Sequence, residues 1–167
     1  IVGTMTRLIA IALAATLAAP VAAPPARAAD DPEILAQALV PGTITEAGTL
    51  ALESFLWQAR PVVVFADTPA DPRFQQQLDM ITAEIDRLAE RDVVILTDVD
   101  PAAAGPIRAK LRPRGFQVVL IGKDGVVDLR KPFPYSVREI TRIIDKTPLR
   151  QQEVRDRRAQ PGAGAAD

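Results

Sequence analysis

The chain has 167 residues, 48% of them hydrophobic and 25% charged, with a formal net charge of −1, which fits one globular domain with a processed or loosely ordered end. It contains neither cysteine nor histidine, so thiol nucleophiles, disulfides, imidazole bases and thiolate or imidazole metal sites are excluded, and Ser-His-Asp and Cys-His catalysis with them. Aromatic residues make up only 4%, so the core must be aliphatic, and any chemistry falls to carboxylates, lysines, arginines, hydroxyls and backbone dipoles.

Residues 1–28 place Arg7 ahead of an apolar stretch that begins at Leu8, followed by prolines and the small-residue site Ala26-Arg27-Ala28. This is the pattern of a secretory signal peptide, with residues 1–4 read as upstream sequence from a start-site choice and cleavage after Ala28 or Ala29. The apolar stretch falls short of the roughly 20 residues a spanning helix needs, and prolines follow it. The expected destination is therefore periplasmic or secreted, with no stable membrane span after cleavage. Losing Arg7 and Arg27 leaves 18 basic against 21 acidic residues, a net charge of −3. A mildly acidic protein argues against nucleic-acid and anionic-membrane partners.

Residues 29–48 contain Pro32, Pro41, Gly42 and Gly48 without a sustained period and read as a flexible leader. The domain proper is expected over 49–149. It opens on a short helix in TLALESFLWQAR, with Thr49 as N-cap, Leu52, Phe55 and Leu56 facing inward, and Trp57 closing one end of the core. Residues 62–66 form an apolar run suited to a strand buried on both faces. Phe74, Leu78, Ile81, Ile85 and Leu88 then make one helical stripe. Asp71 caps that helix and Pro72 takes its first position. A second buried strand covers 93–97, and the strand, helix, strand order favours a parallel right-handed crossover. A short helix reaches Leu111 from Asp100-Pro101 or from near Pro106. Gly122-Lys123-Asp124-Gly125 turns a hairpin between two β-rich runs. Val137, Ile140, Ile143 and Ile144 give the last amphipathic helix, opened by Ser136 and stopped at Pro148. Residues 150–167 read as a charged, partly disordered tail.

This order, together with the stretches FLWQARPVVVFADTPADPRFQQQL, LAERDVVILTDVDP and LRPRGFQVVLIGKDGVVDLR and the helix from Ser136 to DKTPLRQQE, resembles the family called domain of unknown function 4174 over residues 48–153. That family is peroxiredoxin-like and thioredoxin-like, found in exported bacterial proteins and in animal extracellular proteins with sushi-type repeats. The resemblance implies a three-layer α/β fold of the thioredoxin-like type: a central mixed sheet of about four strands, two parallel and then an antiparallel hairpin, flanked by helices. It implies no specific activity.

In redox-active relatives the loop after the first core strand carries a nucleophilic cysteine at a helix N-terminus, and a cis-proline precedes the hairpin strand. Here that loop is Asp67-Thr68-Pro69-Ala70-Asp71-Pro72-Arg73, and the facing residues are Gly115, Phe116 and Gln117. Both halves of a redox site are missing. The leading expectation is a non-redox binding module without a catalytic residue or cofactor. It would meet an unidentified exported protein or small ligand through Asp67, Thr68, Asp71, Arg73, Arg114 and Phe116. The alternative is a metal-dependent hydrolase in which Asp67, Asp98 and Asp100 gather at the carboxyl ends of the parallel strands and hold Mg²⁺ or Ca²⁺; against it, aspartates at these places commonly end strands and cap helices.

Overall fold

The computed structural model describes residues 32–159. The expected signal segment, the first residues of the leader and the end of the tail lie outside them.

Five strands form one sheet in the order β1-β3-β2-β4-β5. They are β1 Ile44–Glu46, β2 Arg60–Phe65, β3 Val93–Asp98, β4 Gln117–Ile121 and β5 Val127–Lys131. Strands β1, β3 and β2 run parallel; β4 pairs antiparallel with β2, and β5 antiparallel with β4. The register brings Val62 opposite Ile95 on one side and Leu120 on the other. All six residues of β2 are buried, as the uninterrupted apolar run requires of a central strand.

Because strand side chains alternate between faces, the run sorts into two cores. Val62, Val64, Val93, Ile95, Val118 and Leu120 face Phe74, Ile81, Leu88, Val137, Ile140 and Ile144. These come from α2 Pro72–Ala83, α3 Ile85–Ala89 and α5 Val137–Lys146. On the other face Val63, Phe65, Val94, Leu96, Val119 and Ile121 meet Leu50, Leu52, Phe55, Ile107 and Leu111, supplied by the 3₁₀ turn Leu52–Phe55, the segment just before it and α4 Pro106–Leu111. Burying each such side chain contributes about 1.5–3 kcal/mol, so a three-layer thioredoxin-like α/β fold stands without disulfides.

The cap of α2 is as expected. Asp71 accepts from the Arg73 backbone N–H at 2.9 Å, and Pro72 occupies the first turn, where no N–H is required. The long helix breaks at Glu84, whose backbone leaves helical angles (φ −128°, ψ 30°), yet the buried stripe continues through Leu88 on α3. Ser136 opens α5 and accepts from the Glu139 N–H.

Several boundaries differ from the sequence reading. The expected leader contains α1 Pro32–Ala38 and the edge strand β1, so the sheet has five strands where about four were expected. A three-residue strand is too short to display alternation; its pairing with β3 supplies the order. Thr49 is not the cap of the first short helix, since the 3₁₀ turn starts after Ala51, which makes no side-chain cap. The first part of the expected tail is helix α6, Pro148–Ala159. What docks it is charge. Arg60, 2% exposed, donates to Glu153 at 2.9 Å, Lys123 approaches the same carboxylate at 3.2 Å, and Arg150 donates to the Glu90 carbonyl at 3.1 Å.

Candidate functional site

The loop between β2 and α2 leaves the carboxyl end of the central strand, where open α/β sheets place ligands. Asp67, Thr68, Pro69 and Ala70 are exposed, but the loop is well tied. Thr68 accepts from Asp71 N at its carbonyl, 3.2 Å, and from Ala70 N at its hydroxyl, 3.3 Å. Gln75 donates to the Pro69 carbonyl at 2.7 Å. A polar loop braced by such internal hydrogen bonds keeps one shape while presenting its tip to solvent.

Asp71 and Arg73 form a fork: Nε donates to Oδ1 at 3.1 Å and Nη2 to Oδ2 at 2.7 Å. The Arg73 hydrogen bonds hold the Asp71 carboxyl below the usual carboxylate range and raise the guanidinium in turn. Arg73 also lies over the ring of Phe116, 5.3 Å from its centroid, and Phe116 is buried. A β-carbon on Gly115 would be 3.7 Å from Asp67 Oδ2, so the loop and the approach to β4 are neighbours. The structure thus brings Asp67, Asp71, Arg73 and Phe116 together, with Thr68 at the exposed tip. Arg114 is exposed and makes no ion pair among the described residues. No peptide bond among the described residues is cis.

The three aspartates of the metal alternative are not gathered into one cation site. Asp98 Oδ1 lies 2.8 Å from Arg108 Nη2, each side chain 10% exposed. Asp100 Oδ1 caps the following turn, accepting from Ala102 N at 2.9 Å and Ala103 N at 3.3 Å. Asp98 and Asp100 share a recess of about 20 Å³ with Glu46 and Gly48, and Asp67 is not in its lining. Among the described residues no group of three or more Asp, Glu, His or Cys side chains is placed to hold a metal ion. The physical reason is Arg108, whose cation already stands against the Asp98 carboxylate.

Sequence reasoning missed Arg108. From the short helix α4 its guanidinium reaches the ends of both parallel strands, donating to the carbonyls of Ala66 and Asp98 at 2.9 Å each, and it lies 5.4 Å from the Phe65 ring centroid. One arginine therefore closes the edge that the acidic reading had left open. An arginine in a polar stretch carries no sequence mark of burial. Trp57 was misplaced too: it is 68% exposed and does not close the core.

A family profile described as Domain of unknown function (DUF4174) matches residues 51–153. No curated protein matches. Among solved structures the chain is similar to the reduced 2-Cys peroxiredoxin of Plasmodium vivax, at 19% identity and TM-score 0.47, covering 62% of this chain and 84% of that one. It is also similar to a Plasmodium yoelii Prx1a modified at the N-terminus, whose octamer is described as artifactual, at 18% identity and TM-score 0.45, covering 70% and 86%. These likenesses are too distant to carry a function.

Proposed function

The chain belongs to the family described as Domain of unknown function (DUF4174), and from that premise we propose that it is an exported, non-redox thioredoxin-like binding module. The loop that begins at Asp67 is its contact surface and a protein is its partner. The observation that carries this reading is the loop itself: internally bonded, fixed to Phe116 through Arg73, and exposed from Asp67 to Ala70. A pre-shaped protruding loop loses little freedom on binding. The contact residues Asp67 to Ala70 lie exposed at the surface, which favours a macromolecular surface over a small ligand.

The test is affinity capture from periplasmic extract with the mature chain, beside a loop variant (Asp67→Ala with Thr68→Ala) and a variant at the far end of the sheet (Asp124→Ala). A partner lost with the loop variant and kept with the other supports the reading; equal recovery by all three removes it. Peroxide consumption or insulin reduction by the purified chain would overturn the non-redox part.

A further inference from the structure

At the end of the sheet away from the Asp67 loop, the β4–β5 turn, β5 and the junction of α5 with α6 border an open cavity of about 320 Å³, lined among others by Trp57, Asp124, Asp128, Pro148 and Leu149. Trp57 is the chain's one tryptophan. Its backbone sits at φ 62°, a conformation that bulky residues rarely adopt and that persists where the surroundings enforce it. The enforcing contact is visible: the Trp57 N–H donates to the Lys123 carbonyl at 2.7 Å. This pins the indole beside the hairpin turn, largely exposed, where it lines the cavity and not the core.

The polar part of the lining is acidic. A β-carbon built on Gly122 would lie 2.5 Å from Asp124 Oδ1 and 3.2 Å from Asp128 Oδ2, so both carboxylates crowd over one glycine. Asp124 Oδ1 accepts from Val126 N, and neither aspartate has an ion-pair partner among the described residues. Lys123, which also lines the cavity, turns its ammonium to Asp92 at 2.8 Å and to Glu153 at 3.2 Å. Burial and then the Asp124 charge push the Asp128 carboxyl up, and Arg60 opposes them without prevailing. Two carboxylates without an ion-pair partner among the described residues, beside an open indole and an apolar wall, are a combination that a hydrated metal ion uses only in part. The cavity also has room for about ten waters.

We infer that this cavity binds a small organic cation, an alkylammonium or guanidinium compound whose charge sits by Asp124 and Asp128 and whose carbon skeleton lies against Trp57, Pro148 and Leu149. Cations are drawn to the indole face, most strongly among aromatic rings, and a positive charge beside two close carboxylates relieves their repulsion. The site is independent of the Asp67 loop, so the failure of either reading leaves the other standing.

The experiment titrates the purified chain with choline, with agmatine and with 3,3-dimethylbutan-1-ol, the neutral isostere of choline, at constant ionic strength. Trp57 fluorescence and calorimetry are both recorded. Saturable binding of at least one cation is expected, weakened about tenfold or more in Asp124→Asn/Asp128→Asn and again in Trp57→Leu by calorimetry. The neutral isostere should bind about tenfold more weakly than choline or not at all. If the double variant does not fold, Asp128→Asn alone gives the same comparison. No saturable signal from either cation at tens of millimolar, equal binding of the isostere, or unchanged affinity in the aspartate variants overturns the inference. So does calcium chloride binding more tightly than both cations, because the indole would then have no part.

Discussion

Arg108 and Asp98 face each other at 2.8 Å at the carboxyl edge of the sheet, and the same guanidinium takes the carbonyls of Ala66 and Asp98. Arg108→Met would keep some of the stem's packing but leave a buried carboxylate and two carbonyls without their donor. Removing one partner of a buried pair costs about 3–5 kcal/mol. Urea unfolding should show a loss of that size, with part of it recovered in Asp98→Asn/Arg108→Met. A loss below about 1 kcal/mol would mean that water substitutes for the guanidinium.

Gln77, fully buried, exchanges two hydrogen bonds with the backbone of Tyr135: Nε2 donates to its carbonyl at 3.0 Å and Oε1 accepts from its N–H at 2.7 Å. This joins α2 to the segment entering α5. Gln77→Leu adds apolar surface but strands both backbone groups, each worth about 1–3 kcal/mol when buried and unpaired. Thermal melting should show clear destabilisation, and hydrogen exchange at the Tyr135 amide should accelerate in the variant.

The docking of α6 should weaken at low pH. Burial works against ionisation of Glu153, but Arg60 and Lys123 together outweigh it and hold its carboxyl below the ordinary 4.5. Its contribution is therefore full above the unfolded value and is lost as pH falls through the lower folded one. Glu153→Gln should cost about 2–4 kcal/mol at pH 7 by depriving the buried Arg60 of its nearer carboxylate, and progressively less as pH falls through the lowered folded value, where the native side chain becomes neutral too. Chemical denaturation across that pH range measures the narrowing gap.

Asp128 has the opposite sign. Its folded carboxyl is raised above 3.8 by burial and by Asp124, so stability falls as pH rises through the raised value. Asp128→Asn should stabilise the protein at pH 7 by less than about 1 kcal/mol, since the group is only partly shielded and solvent screens it. Trp57→Gly should also stabilise, by about 1 kcal/mol, because glycine accepts a positive φ freely and little indole burial is lost. Unfolding midpoints at pH 7 check both. If both gains appear, the cavity lining holds residues that folding alone would not select.

How much of this could be read from the amino acids depends on what kind of force holds each part. Val62 to Phe65 and Val93 to Leu96 are buried by solvent exclusion, which leaves an apolar run in the sequence. The Phe74-to-Leu88 stripe was legible for the same reason, and the break at Glu84 was not, because the apolar spacing runs straight through it. Strand β1, Ile-Thr-Glu, is ordered by hydrogen bonds to β3, and α6 by arginine and glutamate, so neither has a hydrophobic signature. The site divides similarly. The capping of α2 by Asp71 was readable from local chemistry, whereas the pairing of Asp98 with Arg108 arises from tertiary approach across two elements. Trp57 beside Phe55 looks like core until one residue's backbone angle turns it outward.

The two flanks of the sheet limit what can join it. On one side β1 is only three residues long; on the other, β5 carries the charged residues Asp128, Arg130 and Lys131, with Leu129 its one buried residue. Short or charged flanks discourage a further strand from another chain. Strand addition at either edge is thereby disfavoured, and the two surfaces proposed above sit instead at the poles of the strands, one at the Asp67 loop and the other at the indole.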